Sequence, residues 1–136
     1  MSRRETFLCF SIDDNLLAIP IGSAVKVTRM MAFSPIDSDV EGVMGVVNLH
    51  GRTAYLLDIS PKLGLPPRDP SPDKIVVFLE EDGVLVGVIA DDLKGIFEAE
   101  AVDGMAPLSN LIEAFIPGDD MIALLNPKAI TGMVKP

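Results

Sequence analysis

Short apolar runs, each ended by turn-forming residues, recur at regular intervals along the whole chain. Strand-like runs at such spacing, with little sign of helix, favour small closed or nearly closed β-barrels. The strongest hairpin pattern is the pair of runs Val43–Leu49 and Thr53–Ile59, joined by His50-Gly51-Arg52. The sequence therefore predicts an all-β fold with one or two short helices.

A connector at residues 64–73 divides these runs into two groups. Four of its ten residues are proline, which lacks the N–H that a helix or an inner strand must donate. We therefore expect two small barrels that share an interface, the first at residues 1–66 and the second at 67–136, rather than one larger barrel. At 136 residues the chain has the length of one ordinary domain.

The second group of runs predicts a three-stranded meander, with strands at Ile75–Leu79, Val84–Ala90 and Gly95–Ala101. Pro107–Phe115 is predicted to be a short helix capped by Ser109. Asn126-Pro127 is a favourable start for one more short helix, which Gly132 would end.

The charge of the chain argues against a nucleic-acid partner. Eleven basic against 20 acidic residues give a net charge of −9, which opposes a phosphate backbone. Aromatic residues are only 5% of the chain, too few for base stacking. Residues 1–68 balance seven basic with seven acidic groups, whereas 69–136 hold four and thirteen. This asymmetry indicates either two surfaces with different neighbours or simply more solvated turns in the second half.

The single cysteine and the length of the apolar runs indicate the cellular compartment. Cys9 lies in the strand-like run Phe7–Ile12, which predicts a small buried side chain, and a lone cysteine is typical of a reducing compartment. No run approaches the length of a membrane-spanning helix. We expect a cytoplasmic protein without direct membrane insertion.

No group of residues forms a recognisable catalytic or metal site. The only histidine, His50, has no second histidine, cysteine or serine at useful spacing. The acidic pairs at residues 13–14, 91–92 and 119–120 fall in predicted turns, where aspartate is favoured locally. We expect no cofactor, no metal and no enzymatic activity. His50 is then an exposed hairpin-tip residue or a contact residue on a binding surface.

The stretch Val43–Leu65, with the letters VMGVVNLHGRTAYLLDISPKLGL, resembles the signature of the CheW-like family. That signature has a Gly-Val-x-Asn-Leu-Arg-Gly run followed by Asp-Leu and Leu-Gly. Further segments are similar to strands and loops of the family over nearly the whole chain: residues 7–10, 18–21, 34–36, 86–91 and 118–126.

The resemblance implies two SH3-like β-barrels of five strands each, packed around a shared hydrophobic core. It also implies a non-enzymatic adaptor in bacterial chemotaxis-type signal transduction. Proteins of this family couple the cytoplasmic tips of methyl-accepting chemoreceptors to the regulatory domain of a CheA-type histidine kinase. We therefore expect recruitment to receptor arrays at the inner membrane.

The resemblance also implies protein-binding residues in two places. Asn48, His50, Gly51 and Arg52 would lie at a hairpin end. An apolar groove near the barrel junction would be lined by Ile21, Ala24, Val27 and Val88.

The chain departs from the usual family pattern at several positions of these segments. His50 stands in place of a common Arg, Lys26 in place of a common Glu, Tyr55 in place of a Pro and Ser60 in place of an Arg. These departures suggest a divergent member. The alternatives are a small-ligand-binding or enzymatic β-barrel, and a CheW-like regulatory domain of a kinase or of a CheV-type protein.

Overall fold

A computed structural model describes residues 2–103 and 109–134, with side chains from Arg4 onward. Most of the regular structure in these ranges is β-strand. The strands are β1 Ser2–Ile12, β2 Asn15–Pro20, β3 Ala24–Arg29, β4 Ser34–Pro35, β5 Val43–Leu49, β6 Arg52–Leu57, β7 Ile75–Glu81, β8 Val84–Ala90, β9 Asp92–Val102, β10 Ile112–Ile116 and β11 Ile122–Leu125. Short 3₁₀ turns lie at Ile21–Ser23 and Ser60–Leu63, and helix α1 spans Pro127–Thr131.

Five of the strands close into a barrel in the order β1-β2-β11-β10-β9. The longest ladder joins β1 and β9 as antiparallel strands, from Ser2 opposite Val102 to Ser11 opposite Asp92, with one register shift. Strand β2 pairs in parallel with β11, which brings the two ends of the chain into one sheet.

This barrel corrects the predicted division into residues 1–66 and 67–136, because its strands come from both chain ends. The long β1–β9 ladder pairs most residues of two eleven-residue strands, with one register shift at Cys9 and Phe10. At the end of β8 the Asp91 N–H donates to the Ser11 carbonyl oxygen at 2.9 Å, so the chain enters the barrel there. The third predicted strand of the meander is therefore present as β9, but the prediction that it belongs to the same sheet as β7 and β8 is wrong.

The other six strands form a sheet in the order β3-β7-β8-β6-β5-β4. The predicted hairpin is confirmed as β5 and β6, and the first two strands of the meander as β7 and β8. Gly45 lies where β4 crosses close to β5. A Cβ atom there would collide with the Ser34 carbonyl oxygen, so the position requires glycine.

Three apolar clusters hold the strands together. Phe7, Ala18 and Leu124 lie in the cluster inside the barrel, and Phe78 and Leu56 in the cluster inside the sheet. A third cluster, here called the junction core, joins the two units. Its fully buried members include Phe10, Ile12 and Ile19 from the barrel and Leu57, Val77, Leu79, Val86 and Val88 from the sheet.

The connector at residues 64–73 contains no helix or strand, as predicted, and Arg68 fastens it across the junction. The Arg68 N–H donates to Asp58 Oδ2 at 2.7 Å, and its Nη1 donates to Asp91 Oδ2 at 2.8 Å. The same guanidinium lies 3.8 Å from Asp13 Oδ1, in the turn between β1 and β2. The connector is therefore tied to both units through carboxylates at the ends of their strands.

The helix predicted at Pro107–Phe115 is wrong over residues 109–115. Residues 107 and 108 lie outside the described ranges. Burial alternates along Ile112–Ile116, which pairs with β11 as strand β10. Ser109 Oγ accepts the Leu111 N–H in a turn.

The second predicted helix is confirmed as α1. Asn126 Oδ1 accepts the backbone N–H of Lys128 and of Ala129, and Gly132 ends the helix. Within the described ranges, no helix is long and apolar enough to span a membrane.

Candidate protein-binding site

The β5–β6 hairpin ends in a tight two-residue turn at His50 and Gly51. Both residues have a positive φ, 50° and 86°, as the favoured two-residue hairpin turns require. Asn48 Oδ1 accepts the Gly51 N–H at 2.9 Å, which holds the turn from within. The hydrogen bond between Asn48 and Gly51 therefore holds the turn that carries the exposed His50 side chain.

The next residue, Arg52, pairs with Glu80 on β7. Its Nη1 and Nη2 donate to Glu80 Oε1 and Oε2, each at 2.9 Å. The hydrogen bonds to Arg52 hold the pKa of the Glu80 carboxyl below its usual range, and the same bonds raise the pKa of Arg52. This planar two-bond pairing keeps the guanidinium in one orientation beside the turn.

Lys26 on β3 reaches the same hairpin end. Its Nζ lies 2.9 Å from His50 Nε2, although the two residues are 24 positions apart in the sequence. An ammonium can only donate, so Nε2 is the acceptor in this contact. We call the exposed residues Lys26, Asn48, His50, Gly51 and Arg52 the hairpin-end surface.

The predicted apolar groove residues do not all reach the protein surface. Ile21 is 39% exposed in the first 3₁₀ turn, and Ala24 and Val27 are half-buried on β3. Val88 is 0% exposed inside the junction core, which corrects the expectation that it lines an open groove. A valine on the central strand β8 is covered on both faces, and strand order could not be read from the sequence.

Two residues of this region were not among the predicted site residues. The sequence singles out Lys26 only as a departure from the family pattern, and it does not single out Glu80. One feature of the sequence points to Lys26. Lys26 and His50 both depart from the family pattern, one in place of an acid and the other in place of a base. The structure shows that they are in contact.

The other residues considered as site candidates differ in their burial and contacts. Cys9 is buried as predicted, and burial raises the pKa of its thiol, while nearby Lys94 acts in the opposite direction. Asp91 is not a solvated turn residue, because it is half-buried against Arg68 and Lys74. Across residues 2–103 and 109–134, no three His, Cys, Asp or Glu side chains are grouped to hold a metal ion.

The sequence matches the CheW-like domain family over residues 6–134. The chain belongs to the CheW-like family. A probable chemotaxis protein CheW of Rhizobium etli is 22% identical over 89 residues, which cover 65% of this chain and 57% of that protein. The chain thus spans little more than half the length of this relative.

The fold is similar to the crystal structure of the scaffolding protein TtCheW from Thermoanaerobacter tengcongensis. The TM-score is 0.78 at 20% identity, over 91% of this chain and 90% of that chain. The resemblance seen in the sequence and the expected fold of two packed SH3-like barrels are confirmed, although the unit that β3 to β8 form has six strands rather than the expected five.

Proposed function

We propose that this protein is a non-catalytic adaptor of chemotaxis-type signalling. It would couple the cytoplasmic tips of methyl-accepting chemoreceptors to the regulatory domain of a CheA-type histidine kinase, at receptor arrays on the cytoplasmic side of the inner membrane. The observation that carries this proposal is the family match over residues 6–134. The names of the relatives, a chemotaxis protein and a scaffolding protein, agree with it.

The hairpin-end surface supports the proposal because it is exposed and rigid. A turn held by Asn48 and a guanidinium held by Glu80 lose little side-chain entropy when a partner binds. Ile21, just before β3, is an exposed apolar side chain five residues before Lys26 in the sequence. Recognition residues on a loop fixed by a β-scaffold are typical of interaction domains.

The Lys26–His50 contact bears on which partner fits. The family resemblance places a carboxylate and a guanidinium where this chain has an ammonium and an imidazole. Because the two residues are in contact, the two departures act as one change. We propose that they adapt the surface to this chain's own receptor and kinase.

The test is binding of purified chemoreceptor cytoplasmic fragment and CheA-type kinase from the same genome. The unchanged protein is expected to bind both. Lys26→Glu should weaken one of the two complexes by roughly tenfold, as a central contact does. The double variant Lys26→Glu, His50→Arg should recover part of the loss, since it again pairs opposite charges. Arg29→Glu, exposed on the same strand, is the matched control.

Failure of the unchanged protein to bind either partner would refute the adaptor function. Equal weakening by Lys26→Glu and Arg29→Glu would instead show that only the total charge of β3 matters. Thermal unfolding of each variant separates lost binding from lost structure.

A further inference from the structure

Two acidic turns that are far apart in the sequence meet at one end of the closed barrel. Asp14 lies in the turn between β1 and β2, and Asp120 in the turn before β11. Both line the same cavity. Within the described part of the chain, neither carboxylate makes a hydrogen bond or an ion pair. Two free carboxylates therefore face one opening.

The cavity has a volume of about 570 Å³ and a largely apolar wall. Leu17, Phe115 and Ala123 come from the barrel, and Leu65 comes from the connector. Met121 lines the cavity and is also 51% exposed. The volume is in the range of binding pockets, and the wall extends from the junction core, to which Leu17 belongs.

We propose that this cavity is a second docking surface of the adaptor, taking a large apolar side chain flanked by lysine or arginine on a protein partner. The inference rests on the proposed function, because an adaptor has to hold two partners at once. The cavity shares no lining residue with the hairpin-end surface, so partners at the two surfaces would contact different residues.

The charge around the cavity favours a basic partner segment. Among the described residues that line the cavity, Lys94 is the one cation, against the two carboxylates of Asp14 and Asp120. Asp92, exposed on the same strand as Lys94, adds to the acidic side. An apolar anchor would supply most of the binding energy in the cavity, and the acidic rim would select and attract basic neighbours.

The experiment measures binding of the same receptor fragment and kinase to three variants of the full chain. Met121→Glu should weaken one complex by roughly tenfold and leave the other within about twofold. The double variant Asp14→Lys, Asp120→Lys should weaken the same complex and remove its sensitivity to salt. Ile96→Glu is the control, because Ile96 is 62% exposed on β9 and does not line the cavity.

Each outcome is distinguishable. If Met121→Glu binds both partners normally while Lys26→Glu weakens one, the docking surface is refuted and the adaptor function stands. If the unchanged protein binds neither partner, both proposals fall. If native mass spectrometry finds a small molecule bound at stoichiometry and lost in Met121→Glu, the cavity is a ligand pocket, which overturns a protein occupant.

Discussion

The six-stranded sheet is built from one continuous stretch, residues 24–90, whereas the closed barrel is assembled from both ends of the chain. Large side chains such as Phe78 and Leu56 fill the sheet, while the small residues Ala18, Ala101 and Ala114 lie beside Phe7, Ile116 and Leu124 inside the barrel. The ladder between β9 and β10 is short, since Phe115 opposite Val102 is the one register pair between them among the described residues. We infer that the sheet is the more stable unit and that the barrel opens first.

The largest expected effect comes from the interior of the sheet. Phe78→Ala should lower the free energy of unfolding by about 4 kcal/mol, because a fully buried ring is lost. Leu124→Ala, which removes a smaller fully buried side chain inside the barrel, should cost about 3 kcal/mol. Denaturant unfolding measures both. A greater loss for Leu124→Ala would reverse the ranking of the two units, and Val25→Ala on the exposed face of β3 is the control.

A second prediction tests the link between the units. Arg68→Ala should lower the free energy of unfolding by about 2 kcal/mol, because the half-buried Asp91 carboxylate loses its charged donor. Arg29→Ala, an exposed arginine on β3, should change it by less than about 0.5 kcal/mol. Equal free energies of unfolding for the two variants would show that the Arg68 contacts of the connector do not stabilise the fold.

Opening of the barrel can be followed at Cys9, which is buried in β1. Burial raises the pKa of this thiol, so the reactive thiolate is disfavoured in the folded state. Alkylation by iodoacetamide at pH 8 should be at least ~100-fold slower than in the unfolded chain. Leu124→Ala should accelerate it more than Val25→Ala does. A folded protein that reacts as fast as the unfolded chain would show that the barrel is not closed in solution.

The smallest effect concerns pH at the hairpin end. Because Arg52 lowers the pKa of Glu80 in the folded protein, the pair stabilises the fold above the ordinary glutamate pKa. That contribution is lost as the pH falls through the lowered value. NMR titration of the Glu80 carboxyl should give a higher midpoint in Arg52→Gln than in the unchanged protein. An identical midpoint in both proteins would exclude the two-bond pairing in solution.

Local pattern was enough to predict individual elements. The turn residues His50-Gly51 and the runs beside them gave the β5–β6 hairpin, and Asn126-Pro127 gave the cap of α1. Pattern failed at Ile112–Ile116, where a turn at Ser109 resembled a helix cap. A five-residue strand is too short for periodicity to separate it from a helix, so its pairing with β11 decided the outcome.

The candidate site was predictable only in part for the same reason. The hairpin residues Asn48, His50, Gly51 and Arg52 are neighbours in sequence, and their turn is fixed by local hydrogen bonding. The contact of His50 with Lys26 and the pairing of Arg52 with Glu80 depend on how separate strands come together. Whether the surface binds a receptor or a kinase stays a prediction.

The sequence by itself determined most strand and turn positions, the lack of regular structure in the connector and the family, because these depend on residues close together in the chain. Only the tertiary structure decided that β1 and β2 close a barrel with β9, β10 and β11, that Val88 is buried, and that Asp14 and Asp120 meet at one cavity. Strand partners are chosen by which ladders and apolar faces are buried together. That choice is a property of the whole folded chain, and no local run of residues records it.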